Sequence, residues 1–220
     1  MRNILAFLIF FIAINAHCQQ KWIDKPRGGN IYYGKEMTEN IASINDLPKN
    51  IQSNLNGYIR RILPTMADSI SFSHGQIVDL EKYFKENPMT YDSDWIRPKY
   101  EFNFYLKNKN MGIKNYNLEI KMDQYGQILE ANWPRENKTD VFRNLAEVED
   151  FALLKAKLKG YETAGYKIDL RYNDEFDKLF YTFFFPTSYS KYKNDYIVFE
   201  IPWDELEIFK EYRSSILTLH

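Results

Sequence analysis

The chain has 220 residues, with 29 Lys+Arg against 30 Asp+Glu, a single cysteine and 17% aromatic residues. Balanced, interspersed charge excludes the basic field that a nucleic-acid binder needs to displace phosphate counterions. No block of five like charges marks a disordered tail or a polybasic membrane anchor.

The first segment in chain order is the most informative. Met1-Arg2-Asn3 carries one positive charge, Ile4 to Ile14 is apolar, and Asn15-Ala16-His17-Cys18 precedes the polar pair Gln19-Gln20. This is the layout of a secretory signal peptide over residues 1–18, and it is shorter than the ~20 apolar residues that span a bilayer. It predicts an exported protein, periplasmic or extracellular. Two cuts compete. In one, Ala16 and Cys18 are the small residues before the cut and Gln19 becomes the N-terminus. In the other, Cys18 carries the lipid of a lipoprotein, but the bulky His17 stands where a small residue is needed. A buried helix of the fold is the third reading, and it would leave a nearly all-apolar helix ahead of a turn-rich stretch. If Cys18 leaves with the signal, no cysteine remains and the exported chain holds together by core packing alone.

Residues 19–45 show little periodicity, and Lys25-Pro26-Arg27-Gly28-Gly29-Asn30 is dense in turn residues. An irregular N-terminal arm is expected, with Ile31-Tyr32-Tyr33 pairing briefly with a sheet edge. Asp46 is placed to cap a helix with Pro48 in its first turn and Ile51, Leu55, Tyr58, Ile59 and Ile62 on one face; Pro64 ends it. Ser69 to Phe72 reads as a short strand. Ser73-His74-Gly75-Gln76 reads as a turn, and Ile77 to Leu80 as a further strand or helical turn. A loop punctuated by Asn87-Pro88 and Arg97-Pro98 follows.

Tyr100, Phe102 and Phe104 alternate with Glu101 and Asn103, and Tyr116, Leu118, Ile120 and Met122 with Asn117, Glu119 and Lys121. Period two predicts antiparallel strands with one face buried and one wet. Asp123-Gln124-Tyr125-Gly126 supplies a turn with glycine where φ is positive, and Gln127 to Glu130 starts the return strand. Asn144 and Glu147 have the spacing of a capping box, Val148, Phe151, Leu154 and Leu158 form a helical stripe, and Gly160 falls at the C-cap. Strands are expected over Tyr166–Leu170, Leu179–Phe185 and Tyr196–Pro202; Ile208–Tyr212 reads as strand or helix.

Sliding the chain by 81 residues places Tyr100, Phe102, Phe104, Glu119, Ile120 and Asp123 on Tyr181, Phe183, Phe185, Glu200, Ile201 and Asp204, six identities in 24 ungapped positions. The expected fold class is α+β: two similar units, each a helix packed on an antiparallel sheet, over residues 46–134 and 135–220, related by tandem duplication. The alternative is one continuous α+β domain with look-alike strands. The helix followed by antiparallel strands, with the acidic turn in Leu118-Glu119-Ile120-Lys121-Met122-Asp123-Gln124-Tyr125-Gly126, resembles the PepSY unit and its tandem form in the cystatin-like fold of β-lactamase-inhibitor proteins. The resemblance covers residues 46–213. It implies an exported bacterial domain that binds or inhibits a partner protein. The second unit has Asp204-Glu205-Leu206-Glu207 and lacks the glycine, and no functional residue is carried over.

Catalytic chemistry is thin. Of three histidines, His17 leaves with the signal, His220 is last and His74 reads as a turn residue, so no held imidazole is in sight for a triad. No cysteine or histidine pair has zinc-ligand spacing. Glu119 with Asp123, and Glu200 with Asp204, are four apart and share a strand face, as a glycosidase dyad would require. That face also carries Asn117 and Lys121 and reads as the solvated side. The acidic turns Asp92-Ser93-Asp94 and Asn173-Asp174-Glu175 lack the ligand alternation of an EF-hand loop, and Gly28-Gly29 lacks the spacing of a phosphate loop. No cofactor, metal or catalytic residue is assigned. Tyr91 and Trp95 in the first long loop, and Tyr189 and Tyr192 in the hairpin-like loop Pro186–Asp195, are the candidate partner-binding residues, because loop aromatics carry much contact area on few rotors. The expected function is a non-enzymatic binding module for a protein or peptide. A carbohydrate- or small-ligand-binding accessory role comes next, and a carboxylate hydrolase last.

Overall fold

Alternating aromatics set the architecture. The structure, a computed structural model, describes residues 23–24, 33–88, 96–135, 142–190 and 192–217. The expected signal peptide, the Cys18–Gln19 junction, and the loop residues Tyr91, Asp92, Ser93, Asp94 and Trp95 lie outside them.

In chain order come β1 (Ile23–Asp24), β2 (Thr38–Ile41), α1 (Lys49–Ile62), β3 (Ile70–Val78), α2 (Leu80–Glu86), β4 (Tyr100–Asn108), β5 (Ile113–Met122) and β6 (Ile128–Ala131). Then follow α3 (Leu145–Leu158), β7 (Lys167–Asn173), β8 (Lys178–Tyr189), β9 (Lys193–Pro202) and β10 (Lys210–Leu217). The class is α+β with two sheets. The first runs β1-β5-β4-β3-β2, with β6 also on β5; the second runs β10-β9-β8-β7. All pairs are antiparallel except β1 with β5. One edge of β5 is divided, with β1 beside Ile113 and β6 beside Ile120. β1 also approaches β7, with Cα atoms within 8 Å, so this short strand lies where the two sheets meet.

A single cluster of buried side chains runs through both halves. It takes in Ile51, Leu55 and Ile62 of α1, Phe102, Phe104, Leu118 and Ile120 of the first sheet, Val148 and Ala152 of α3, and Tyr181, Phe183, Phe185 and Phe199 of the second. Trp133 and Trp203, both fully buried, meet edge to face at 5.8 Å. The Trp133 Nε1–H donates to Ile62 O (3.3 Å), and the Tyr181 hydroxyl lies 3.3 Å from Met111 O and from Arg143 O. The Trp133 indole and the Tyr181 phenol thus meet main-chain carbonyls inside an otherwise apolar seam, while Trp203 Nε1 is buried without a partner.

Several local expectations are corrected. Asp46 does not cap α1. It closes a capping box with Ser43 on a preceding 3-10 turn, and Pro48 is the N-cap residue. The expected turn at Ser73–Gln76 is the middle of the nine-residue strand β3. A register shift between Phe72 and His74 absorbs one extra residue there, the signature of a β-bulge. Gly75 serves close packing rather than turning: a Cβ would stand 3.0 Å from Glu101 O and from the Phe102 ring. Thr38–Ile41, inside the arm expected to be irregular, pairs with β3 as its edge strand.

In α3 the Asn144 side chain accepts from Ala146 N–H, while Glu147 lies 3.9 Å from Arg143 instead of completing a capping box. Gly160 (φ 75°) ends the helix with Gly160 N–H on Lys157 O and Tyr161 N–H on Ala156 O, a Schellman closure. The buried stripe, however, is Leu145, Val148, Ala152 and Ala156, and Leu154 and Leu158 are exposed. Ala152 and Ala156 belong to the same buried cluster as Phe183 and Phe185 of the second sheet.

The 81-residue match keeps strand faces but not register. Phe102 faces Ile120, whereas Phe183 faces Phe199, two residues short of Ile201. A slip of two leaves every side chain on its own face, where a slip of one would turn the strand inside out.

Candidate functional site

Strands β8 and β9 extend well into the segment expected to be a loop: β8 ends at Tyr189 and β9 begins at Lys193. Pro186 is accommodated by a register shift between Pro186 and Ser188, since proline gives no N–H to the ladder. The turn is closed by Ser190, whose N–H and Oγ–H donate to Lys193 O at 2.9 and 2.7 Å, while Lys193 N–H donates to Ser190 Oγ at 3.0 Å. Just below, Asp195 accepts from Ser188 Oγ, Ser215 Oγ and the Lys193 ammonium (2.9 Å), tying β8, β9 and β10 together. Hydrogen bonds from Ser215, Lys193 and Ser188, in that order, hold the Asp195 carboxyl down at about 2. On this base Tyr189 and Tyr192 stand 62% and 63% exposed. They do not fold back onto the sheet.

The carboxylates of both candidate pairs are held by other partners. Asp123 lies beyond the end of β5, and its Oδ1 accepts Tyr125 N–H (2.9 Å) and Gln127 N–H (2.8 Å), so it builds the β5–β6 turn. That turn has Gly126 at φ 86°, as its sequence requires, and a Cβ there would stand 2.8 Å from Asn54 Nδ2 on α1. Glu119 accepts from Asn117 Nδ2 (2.8 Å). Glu200 accepts from the Tyr212 hydroxyl (2.9 Å), and Asp204 pairs with Lys178 (3.1 Å). Asn173 Oδ1 accepts Glu175 N–H and Phe176 N–H, an ordinary Asx turn. His74, in mid-strand, lies 3.0 Å from Ser73 Oγ through Nδ1. Among the described residues no group of three His, Cys, Asp or Glu side chains is placed to hold a metal ion.

The sequence reading missed the second face of the first sheet. The pairing registers place Asn40, Gln76, Glu101, Lys121 and Glu130 in one row across β2, β3, β4, β5 and β6, and His74, Asn103 and Glu119 in the next. This face is not wet at its centre: Glu101, Asn103 and Asn117 are only 2%, 4% and 4% exposed. Asn117 Nδ2 donates to Asn103 Oδ1 (3.0 Å), Gln76 Nε2 donates to Glu101 Oε2, and Lys121 pairs with Glu130 (2.8 Å). Glu101 Oε1 is buried without a hydrogen-bond partner. Burial holds the Glu101 carboxyl above its usual range, against the Gln76 hydrogen bond and the Lys121 charge. Alternation cannot reveal this, because a buried amide and a solvated one occupy the same position in the pattern.

Above that face, Tyr33, Met37 and Val78 form a small buried cluster with Leu80 and Tyr83 of α2 packed on it. Burial, then the Glu101 charge, pushes the Tyr33 hydroxyl up to about 12. Arg97 stacks over the Tyr83 ring at 5.5 Å. Among the described residues no helix is long and apolar enough to cross a membrane. Comparison of the chain with protein-family models, with curated proteins and with solved structures finds no match.

Proposed function

We propose that this chain is an exported, non-enzymatic binding module that engages a protein or peptide through the tip of the β8–β9 hairpin. The scaffold is read as two similar helix-plus-antiparallel-sheet units of PepSY-like type, the order α1-β3-α2-β4-β5-β6 being matched by α3-β7-β8-β9-β10 with α2 as an insertion in the first. The shared strand faces support duplication; the two-residue difference in register limits it to a relationship of elements rather than of individual contacts. Export rests on the signal-like start of the sequence.

The observation that carries the reading is the exposure of Tyr189 and Tyr192 on a hairpin whose base is fixed by Asp195. Two large amphipathic side chains on a rigid support lose little entropy on binding, and such residues dominate interface energies. The engagement of Glu119, Asp123, Glu200 and Asp204 in structural hydrogen bonds and ion pairs supports the non-enzymatic part.

The test is paired affinity capture from envelope extract of the producing organism, with the processed chain from Gln19 and with its Tyr189→Ala/Tyr192→Ala form. A protein retained by the first and lost by the second supports the reading. One retained equally by both moves the interface elsewhere. Capture of glycans in place of protein would replace a protein partner with a carbohydrate.

A further inference from the structure

A groove of about 880 Å³ lies between α2 and the β5–β6 turn. Its apolar lining comes from Leu80 and Phe84 of α2, Ile96 ahead of β4, and Tyr125 in the turn. Ile96 and Tyr125 are strongly exposed for residues of their size. Arg97 enters the same groove, and its Nε is buried with no hydrogen-bond partner. Among the described residues it has no ion pair; its guanidinium stacks on the Tyr83 ring and its charge acts on the Tyr33 hydroxyl.

The acids nearby do not answer this charge. Asp123 is committed to its turn through Tyr125 and Gln127, and Glu81 makes no ion pair with Arg97. An arginine without an acidic partner fits a carboxylate best, through the outer nitrogens of its planar fork. The volume is in the range of small-molecule sites, which pair apolar walls with a few polar groups. With Arg97 and Lys85 offset by Glu81 and Asp123 around the groove, local charge favours a monoanion over a multiply charged ligand.

We infer that this groove binds a small apolar molecule bearing one carboxylate, with Arg97 taking the carboxylate and Leu80, Phe84, Ile96 and Tyr125 holding the apolar body. The site belongs to the first sheet and is independent of the β8–β9 hairpin.

Calorimetric titration of the full chain with octanoate, and with 1-octanol as the uncharged counterpart, tests it. Saturable one-site binding of octanoate is expected. Arg97→Gln should weaken it about tenfold or more, the worth of a charged hydrogen bond, and leave 1-octanol unchanged; Tyr125→Ala should weaken both. Absence of saturable octanoate binding to the wild type, or equal binding by Arg97→Gln, overturns the inference. Should Arg97→Gln not fold, added salt decides with the wild type alone. Octanoate affinity that falls with salt while that of 1-octanol holds supports an ionic head site, and two flat responses overturn it.

Discussion

The outer faces of the two sheets bury themselves in opposite ways. On the first sheet the centre is polar: Gln76, Glu101, Asn103 and Asn117 interlock by hydrogen bonds. On the second it is apolar: Phe184, Tyr196 and Val198 are buried with Tyr212 packed on them, and cations lie across the rings. Arg171 stands 5.1 Å from Phe184, Lys167 5.8 Å from Tyr196 and Lys210 5.3 Å from Tyr212. Long basic side chains cover aromatic surface with their stems while the charge stays near water. The aromatic face gains transfer free energy directly, whereas the amide face exchanges water hydrogen bonds for internal ones and gains little net. Each leaves orphans: Glu101 Oε1 and Asn117 Oδ1 on one, Thr182 Oγ1 and the Tyr196 hydroxyl on the other.

The contrast is sharpest at Phe184. Phe184→Ala is expected to lose ~3 kcal/mol in urea unfolding, because it removes a buried ring and leaves a cavity. Asn117→Ala should lose ~1–2 kcal/mol, chiefly because Asn103 Oδ1 is stranded without its donor. A loss as large as that of Phe184→Ala would mean that the amide face contributes as much as the aromatic one. Arg171→Ala should cost ~0.5–1 kcal/mol through lost ring contact, with Arg171→Lys recovering part of it; no change on removal would make the cation decorative.

The smallest change at any one pH is expected from Glu101→Gln, and its information lies in the slope. Burial raises the folded pKa of Glu101 above its unfolded value, so between the two the folded chain holds more protons and stability falls as pH rises. The penalty is full above the folded pKa and disappears below the unfolded one. Glu101→Gln should therefore be the more stable form at neutral pH, with its advantage shrinking on acidification. A constant difference across the titration would place Glu101 in water. The groups facing it are Gln76, Lys121, Glu119 and Glu130 and the Tyr33 hydroxyl; His74 stands in the next row, opposite Asn103.

Much was legible along the chain. Alternation located β4 and β5, and β7, β8 and β9 were also legible as strands. Asn144 and Gly160 marked the ends of α3, and Asp123 with Gly126 marked the β5–β6 turn. These are properties of a residue and its near neighbours, and local sterics settle them. Tyr189 and Tyr192 were legible as hairpin aromatics, while Tyr91 and Trp95 lie outside the described residues.

The rest was decided by what each segment meets. Only pairing with β4 made His74 and Gly75 part of a continuous strand. Only the packing of α3 into the shared core decided that Ala152 and Ala156 turn inward and Leu154 and Leu158 stay outside. Burial of Glu101 and the stacking of Arg97 on Tyr83 likewise depend on elements distant in sequence. Period and composition say which side chains share a face; which face is covered is a property of pairs of elements, and a single strand or helix does not contain it.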